Sequence, residues 1–84
     1  MTICNQRGLH ARAAARIAKL AEVFTADITV AANGLSVSAL SIMGLMLLAA
    51  GPGTEVKIDA SGPAAEEAVA ALTAMIETRF DEDS

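Results

Sequence analysis

The sequence predicts a small α+β domain of order βαββαβα, an open-faced two-layer β-sandwich in which a four-stranded, mainly antiparallel sheet carries three helices on one face. Apolar residues alternate with polar ones on both sides of Asn33-Gly34 and again over residues 54–60, the period of strands with one wet face. Apolar residues recur every three or four positions after His10 and again after Pro63, the period of helices with one buried stripe. The chain has 84 residues and no Trp or Tyr, so its one core must be built from Leu, Ile, Val, Met and two Phe, with helices packed on something flat. Residues 1–84 therefore read as a single domain, with no linker, internal repeat or low-complexity segment.

The first element is a short strand over residues 2–5, broken by Gln6-Arg7-Gly8. Cys4 lies in it and reads as a small buried hydrophobe. A helix begins around Ala11. Ala14, Ile17, Leu20 or Ala21, and Phe24 make its apolar stripe, and Arg12, Arg16 and Lys19 make a basic face. Residues 28–30 and 35–38 then form a β-hairpin, because Asn and Gly both tolerate the positive φ that a two-residue turn requires.

Residues 41–48 form a short apolar helix, with Ser41 as its N-cap and Gly51-Pro52-Gly53 as its stop. In the strand over 54–60, Val56 and Ile58 face inward, and Glu55, Lys57 and Asp59 face outward. Ser61-Gly62-Pro63 opens the last helix. Pro63 fits its first turn, and Ala65, Ala68, Val69, Leu72 and Ile76 supply the buried stripe. Residues 81–84 read as a solvated acidic tail.

The net charge of −4 conceals an asymmetry: Arg7, Arg12, Arg16 and Lys19 precede every acid, and only Lys57 and Arg79 sit among the ten acidic residues that follow. This basic end is too small, and too poor in stacking aromatics, to argue for nucleic acid, but it suits a phosphate or an acidic protein surface. No apolar run approaches the ~20 residues of a membrane helix. One cysteine forms no internal disulfide and the N-terminus carries no secretory pattern, so the expected compartment is the cytoplasm.

His10 is the only histidine and stands at the start of the first helix, two residues before Arg12. Free N–H groups and the positive end of the dipole favour an anion there, so a phosphoryl group on the imidazole would meet waiting donors, with Arg12 adding a charge-assisted contact. A neutral ring nitrogen is a competent nucleophile toward phosphorus, and a phosphorylated one is a good leaving group. The plainer reading is that His10 is only a polar N-cap.

A metal site lacks ligands, because His10 and Cys4 have no further His or Cys beside them. No cofactor is implied. No acid–base pair accompanies His10 and a pocket is hard to build in so small a domain, so a relay fits better than a stand-alone enzyme. Ser41 is by default a helix cap, yet a hydroxyl there can also receive phosphate from a kinase. Ile42, Met43, Leu45, Met46, Leu47 and Leu48 are too many apolar groups for one short helix to bury, so some form an adaptable protein-binding surface.

Two motifs, Gly8-Leu9-His10-Ala11-Arg12-Ala13-Ala14 and Ser41-Ile42-Met43-Gly44-Leu45-Met46, resemble the phosphorylation-site and regulatory-serine motifs of the histidine-containing phosphocarrier family, HPr, of the bacterial phosphotransferase system. The resemblance covers nearly the whole chain. It implies that His10 is phosphorylated on Nδ1 by phospho-enzyme I, itself charged by phosphoenolpyruvate, that Arg12 supports the transfer, and that a IIA-type protein is the next acceptor, for sugar uptake or regulation.

The same resemblance implies that Ser41 is a target of a regulatory serine kinase/phosphorylase, and that Arg16, Ile42, Met43 and Met46 meet partners. A monomer is the default. The alternative is a docking module on regulatory targets, switched by phosphate at His10 or Ser41.

The sequence departs from the family at three places. Ala13 stands where proline often follows the active-site arginine, and Leu40 where lysine often precedes the serine. The first strand is shorter than usual, which allows a start upstream of Met1. Residues 12–16 and 47–53 resemble the nitrogen-related branch more than the sugar-transport branch.

Overall fold

The computed structural model describes residues 2–5 and 7–81. Its elements run α1 (Ala11–Ala21), β1 (Asp27–Ala32), β2 (Leu35–Ser38), α2 (Ile42–Leu47), β3 (Lys57–Ser61) and α3 (Ala65–Glu77), followed by a 3₁₀ turn over Arg79–Asp81. The expected acidic tail lies outside the described residues from position 82 onward.

The hairpin forms as its sequence requires. Asn33 and Gly34 take φ of 52° and 81°, the left-handed pair whose twist matches two antiparallel strands. That turn sets the register Ala32 to Leu35 and Val30 to Val37. On its other side β1 pairs antiparallel with β3, Ile28 opposite Ala60 and Val30 opposite Ile58, so the sheet order is β2-β1-β3. Ile28, Val30 and Ala32 are buried while Asp27 and Thr29 are exposed, which gives β1 one dry and one wet face.

The buried side chains form a cluster that joins Ile28, Val30 and Ala32 to Ala13, Ala14 and Ile17 of α1, Leu45 of α2 and Leu48 at its C-cap, and Leu72 and Ile76 of α3. The alanines of α1 let it approach its neighbours closely: α1 packs against α2 and α3, and α3 against β3 and β1. The last helix starts at Ala65, with Ala64 at its N-cap and no capping side chain. Pro63 thus sits in the turn before the helix rather than inside it, and Glu66 and Glu67 in the first turn complement the dipole instead.

The first expected strand is not formed. Residues 2–5 contribute a single antiparallel bridge, Thr2 to Glu55, with Ile3 N–H on the Thr54 carbonyl (2.9 Å) and Gly53 N–H on the Ile3 carbonyl (2.8 Å). Two local turns cut the pairing short. Thr54 N–H closes back on Gly51 (3.1 Å) before the bridged Glu55, and Asn5 folds inward to hold Gly8; β3 begins at Lys57. The sheet among the described residues has three strands, not four. Cys4 is also a correction: Ile3 and Asn5 on either side of it are buried, so alternation turns Cys4 outward and it is exposed.

Candidate functional site

The site is built from the loop that enters α1. Gly8 adopts φ +61°, and its N–H returns to the Asn5 carbonyl at 3.2 Å. The buried Asn5 side chain donates from Nδ2 to the Gly8 carbonyl at 2.9 Å. Leu9 is buried, and its N–H donates to the Ala50 carbonyl at 2.9 Å, which ties the loop to the segment after α2. The next residue, His10, therefore has little freedom in where it stands.

His10 is the N-cap of α1. Its backbone is extended (φ −74°, ψ 177°), its carbonyl accepts from Ala14 N–H at 2.9 Å, and its Nδ1 accepts from the backbone N–H of Arg12 at 3.3 Å. Accepting at Nδ1 leaves the ring proton of the neutral imidazole on Nε2. The ring is half-buried, and the first turn of α1 contributes no acidic residue of its own against the positive end of the dipole. The N-cap reading and the anion-site reading are two uses of one geometry.

Arg12 is exposed in the first turn of α1. Arg16 stands one turn further on the same side of the helix, but its Nη1 donates to the carbonyl of Phe80 in the C-terminal 3₁₀ turn. The residue expected to meet partners thus also fastens the 3₁₀ turn after α3. Phe80 itself is fully buried, with φ of 55°.

Ser41 is the N-cap of α2, its Oγ accepting from Gly44 N–H at 3.0 Å. Leu45 and Leu48 turn inward, while Ile42, Met43 and Met46 stay exposed, Met43 to 77%. Leu47 of α2, 70% exposed, adds to the apolar residues beyond the three expected to meet partners, and Leu40, before α2, is exposed as well. A signal for Leu47 is present in the sequence: with Leu45 and Leu48 three residues apart on the buried side, Leu47 falls on the outer one. Among the described residues no three His, Cys, Asp or Glu come together in a way that could hold a metal, and no helix is long and apolar enough to cross a membrane.

Residues 1–78 match the family model described as the PTS HPr component phosphorylation site. The chain belongs to the HPr family. The phosphocarrier protein HPr of Cupriavidus necator is 48% identical over 81 residues, covering 96% of this chain and 91% of the relative. The phosphocarrier protein NPr of Shewanella violacea is 42% identical over 84 residues, covering 100% and 92%, so both branch names occur among the relatives. The solved structure of HPr-C-His from Thermoanaerobacter tengcongensis superposes with a TM-score of 0.94 at 42% identity, covering 100% of this chain and 94% of that one.

A second structure from the same organism, titled as an HPr dimer, gives 0.82 at 43% identity over 98% and 94% of the two chains. The chain is thus an HPr-type phosphocarrier of the phosphotransferase system, with the α+β fold of that family, three helices and an antiparallel sheet.

Proposed function

We propose that His10 is the phosphoryl acceptor, charged by phospho-enzyme I from phosphoenolpyruvate and discharged to a IIA-type protein in the cytoplasm. The observation that carries this reading is the hydrogen bond from Arg12 N–H to His10 Nδ1 at the start of a helix whose first turn contains no acidic residue. In the transfer, the Nδ1 lone pair forms the bond to phosphorus as the bond to the enzyme I donor breaks and its electron pair returns to that donor. The Nε2 proton stays in place. Once the lone pair is consumed, the Arg12 N–H is released to a phosphoryl oxygen, and the Arg12 guanidinium adds charge. The grip is moderate, which suits a group that must leave again.

The open-faced arrangement, with three helices on one side of the sheet, is supported by the single dry face of β1. It leaves His10 and the exposed side of α2 available to large protein partners. Ile42, Met43 and Met46 form the docking surface, and Arg16 contributes beside it. Ser41 is the regulatory phosphorylation site, where a phosphate would add about −2 charge next to that apolar surface. Leu40 in the place of a lysine argues for a kinase unlike the usual one, or for none. The monomer is the working state, and the nitrogen-related branch is favoured by residues 12–16 and 47–53.

The deciding experiment is intact mass after incubation with enzyme I, phosphoenolpyruvate and magnesium. A gain of about 80 Da that is acid-labile and absent in His10→Ala is expected for a phosphohistidine. Labelling of His10→Ala to the same extent would sink the assignment. The exposure of Met43 and Leu47 favours a second reading, a docking module switched by phosphate. Partners that bind the phosphorylated and unphosphorylated forms differently, and are lost with Met46→Asp, would support it.

A further inference from the structure

We propose that Asn33, in the turn between β1 and β2, is a positioning residue for phosphoryl transfer. It acts by holding the end of α2, which holds the loop that presents His10. The proposal rests on His10 being the acceptor.

The connection is continuous in space. Asn33 Nδ2 donates to the Leu48 carbonyl at 2.7 Å and reaches the Ala49 carbonyl at 3.5 Å. The Leu48 carbonyl, at the C-cap of α2, is one that the helix itself leaves without a partner, and that of Ala49 follows it. Ala49, the residue they flank, adopts φ +54°, a conformation normally left to glycine at a helix end. The next carbonyl, that of Ala50, accepts the Leu9 N–H at 2.9 Å, and Leu9 directly precedes His10. A left-handed alanine thus stands between the hairpin and the active loop, and the Asn33 amide clamps the carbonyls on both sides of its Cα–N and Cα–C bonds.

The amide is separable from the turn. Asn33 needs its φ of 52° to make the hairpin, and glycine supplies that conformation equally well. Glycine does not supply the donor. Aspartate tolerates the same backbone, yet turns an acceptor toward two carbonyl oxygens.

Asn33→Gly, Asn33→Asp and Asn33→Gly with Ala49→Gly are compared with the wild type. Three quantities are read: kcat and KM for phosphorylation by enzyme I, the lifetime of the phosphohistidine, and the amide resonances of Leu9 and Arg12. Asn33→Gly is expected to lower kcat about tenfold, with KM nearly unchanged because the outer side of α2 is intact. It should also shift the Leu9 and Arg12 resonances. Ala49→Gly should recover much of the loss, because glycine holds the left-handed conformation without the clamp.

A wild-type kcat in Asn33→Gly, or lowered stability with unmoved Leu9 and Arg12 resonances, would overturn the proposal. Asn33→Asp, read in the same way, decides the matter if the glycine variant does not fold. Failure of the wild type to take up phosphate would overturn the His10 reading instead, and the two resonances would still test the clamp.

Discussion

The Ala50 carbonyl oxygen lies 2.2 Å from where a Cβ on Gly8 would stand, and the Gly51 Cα lies 2.8 Å from the same point. Both obstacles are backbone, so neither can rotate away. Gly8→Ala must therefore push apart the two segments that define the entry to α1, in addition to holding alanine at φ +61°. The expected cost is about 2–4 kcal/mol in urea unfolding, with slowed uptake of phosphate by the fraction that stays folded.

His10 caps α1 through Nδ1, and a carrier histidine can be told from a mere cap by replacing it with a better cap. Asparagine ranks among the best N-cap residues, so His10→Asn should hold its melting temperature, while His10→Ala should lose about 1 kcal/mol. Both should take up no phosphate from enzyme I. Calorimetry and intact mass on the two variants separate the structural from the chemical role.

Much of this arrangement is legible in the sequence because it is written locally. Asn33-Gly34 specifies its own backbone, and Gly8-Leu9 before a helical stripe places His10 at a helix start without knowledge of the fold. The first strand fails for a tertiary reason: among the described residues it is reduced to one bridge, flanked by turns at Asn5 and Thr54, and no pattern in residues 2–5 reports that. The same holds for the bonds from Asn33 to Leu48 and from Arg16 to Phe80. Each joins residues that are remote in sequence, and the side chain of each also has an ordinary local explanation. Cys4 departs from expectation because a buried neighbour on each side leaves it only the outward position.

Gly44 is packed where a side chain has no room. A Cβ there would lie 2.9 Å from Ser41 Oγ and 3.0 Å from Val37 Cβ, so the cap of α2 and its contact with β2 both depend on the missing methyl. Alanine favours helix, yet Gly44→Ala should destabilise by about 1–3 kcal/mol because overpacking outweighs propensity. Ser41→Ala should cost about 1 kcal/mol through the lost cap, and Ser41→Asp should not, because a carboxylate can accept from Gly44 N–H and suits the dipole. Chemical denaturation of the three variants gives the order.

The Thr2 hydroxyl donates to the Glu55 carboxylate, which draws that carboxyl below its ordinary value of 4.5. A lowered value means that the contact favours the ionised form: it is fully present above the ordinary value and fades as the pH falls through the lowered one. In a carboxyl titration followed by NMR, Glu55 should titrate below 4.5 and move back toward it in Thr2→Val. The amide protection of Ile3, whose N–H bonds the Thr54 carbonyl, should weaken over the same acid range.

Arg12 and Arg16 stand one helical turn apart on α1 and are expected to fail differently. Arg12 is exposed at the terminus that His10 caps, where a contact of an exposed cation is worth about 0–1 kcal/mol, so Arg12→Ala should change unfolding by no more than about 1 kcal/mol. It should slow phosphoryl uptake by removing a charge-assisted contact to the transferred group. Arg16 donates to the Phe80 carbonyl, and Arg79 and Phe80 both hold positive φ while the Phe80 ring is fully buried. Arg16→Ala should therefore lower stability by about 1–2 kcal/mol, beyond any effect on partner binding, because a carbonyl loses a charged donor. Arg16→Lys should recover part of that stability, since an ammonium can still donate there but lacks the planar fork. Paired urea curves and enzyme I kinetics on Arg12→Ala, Arg16→Ala and Arg16→Lys check the contrast. Equal stability of the two alanine variants would mean that the Arg16 contact does not fasten the 3₁₀ turn.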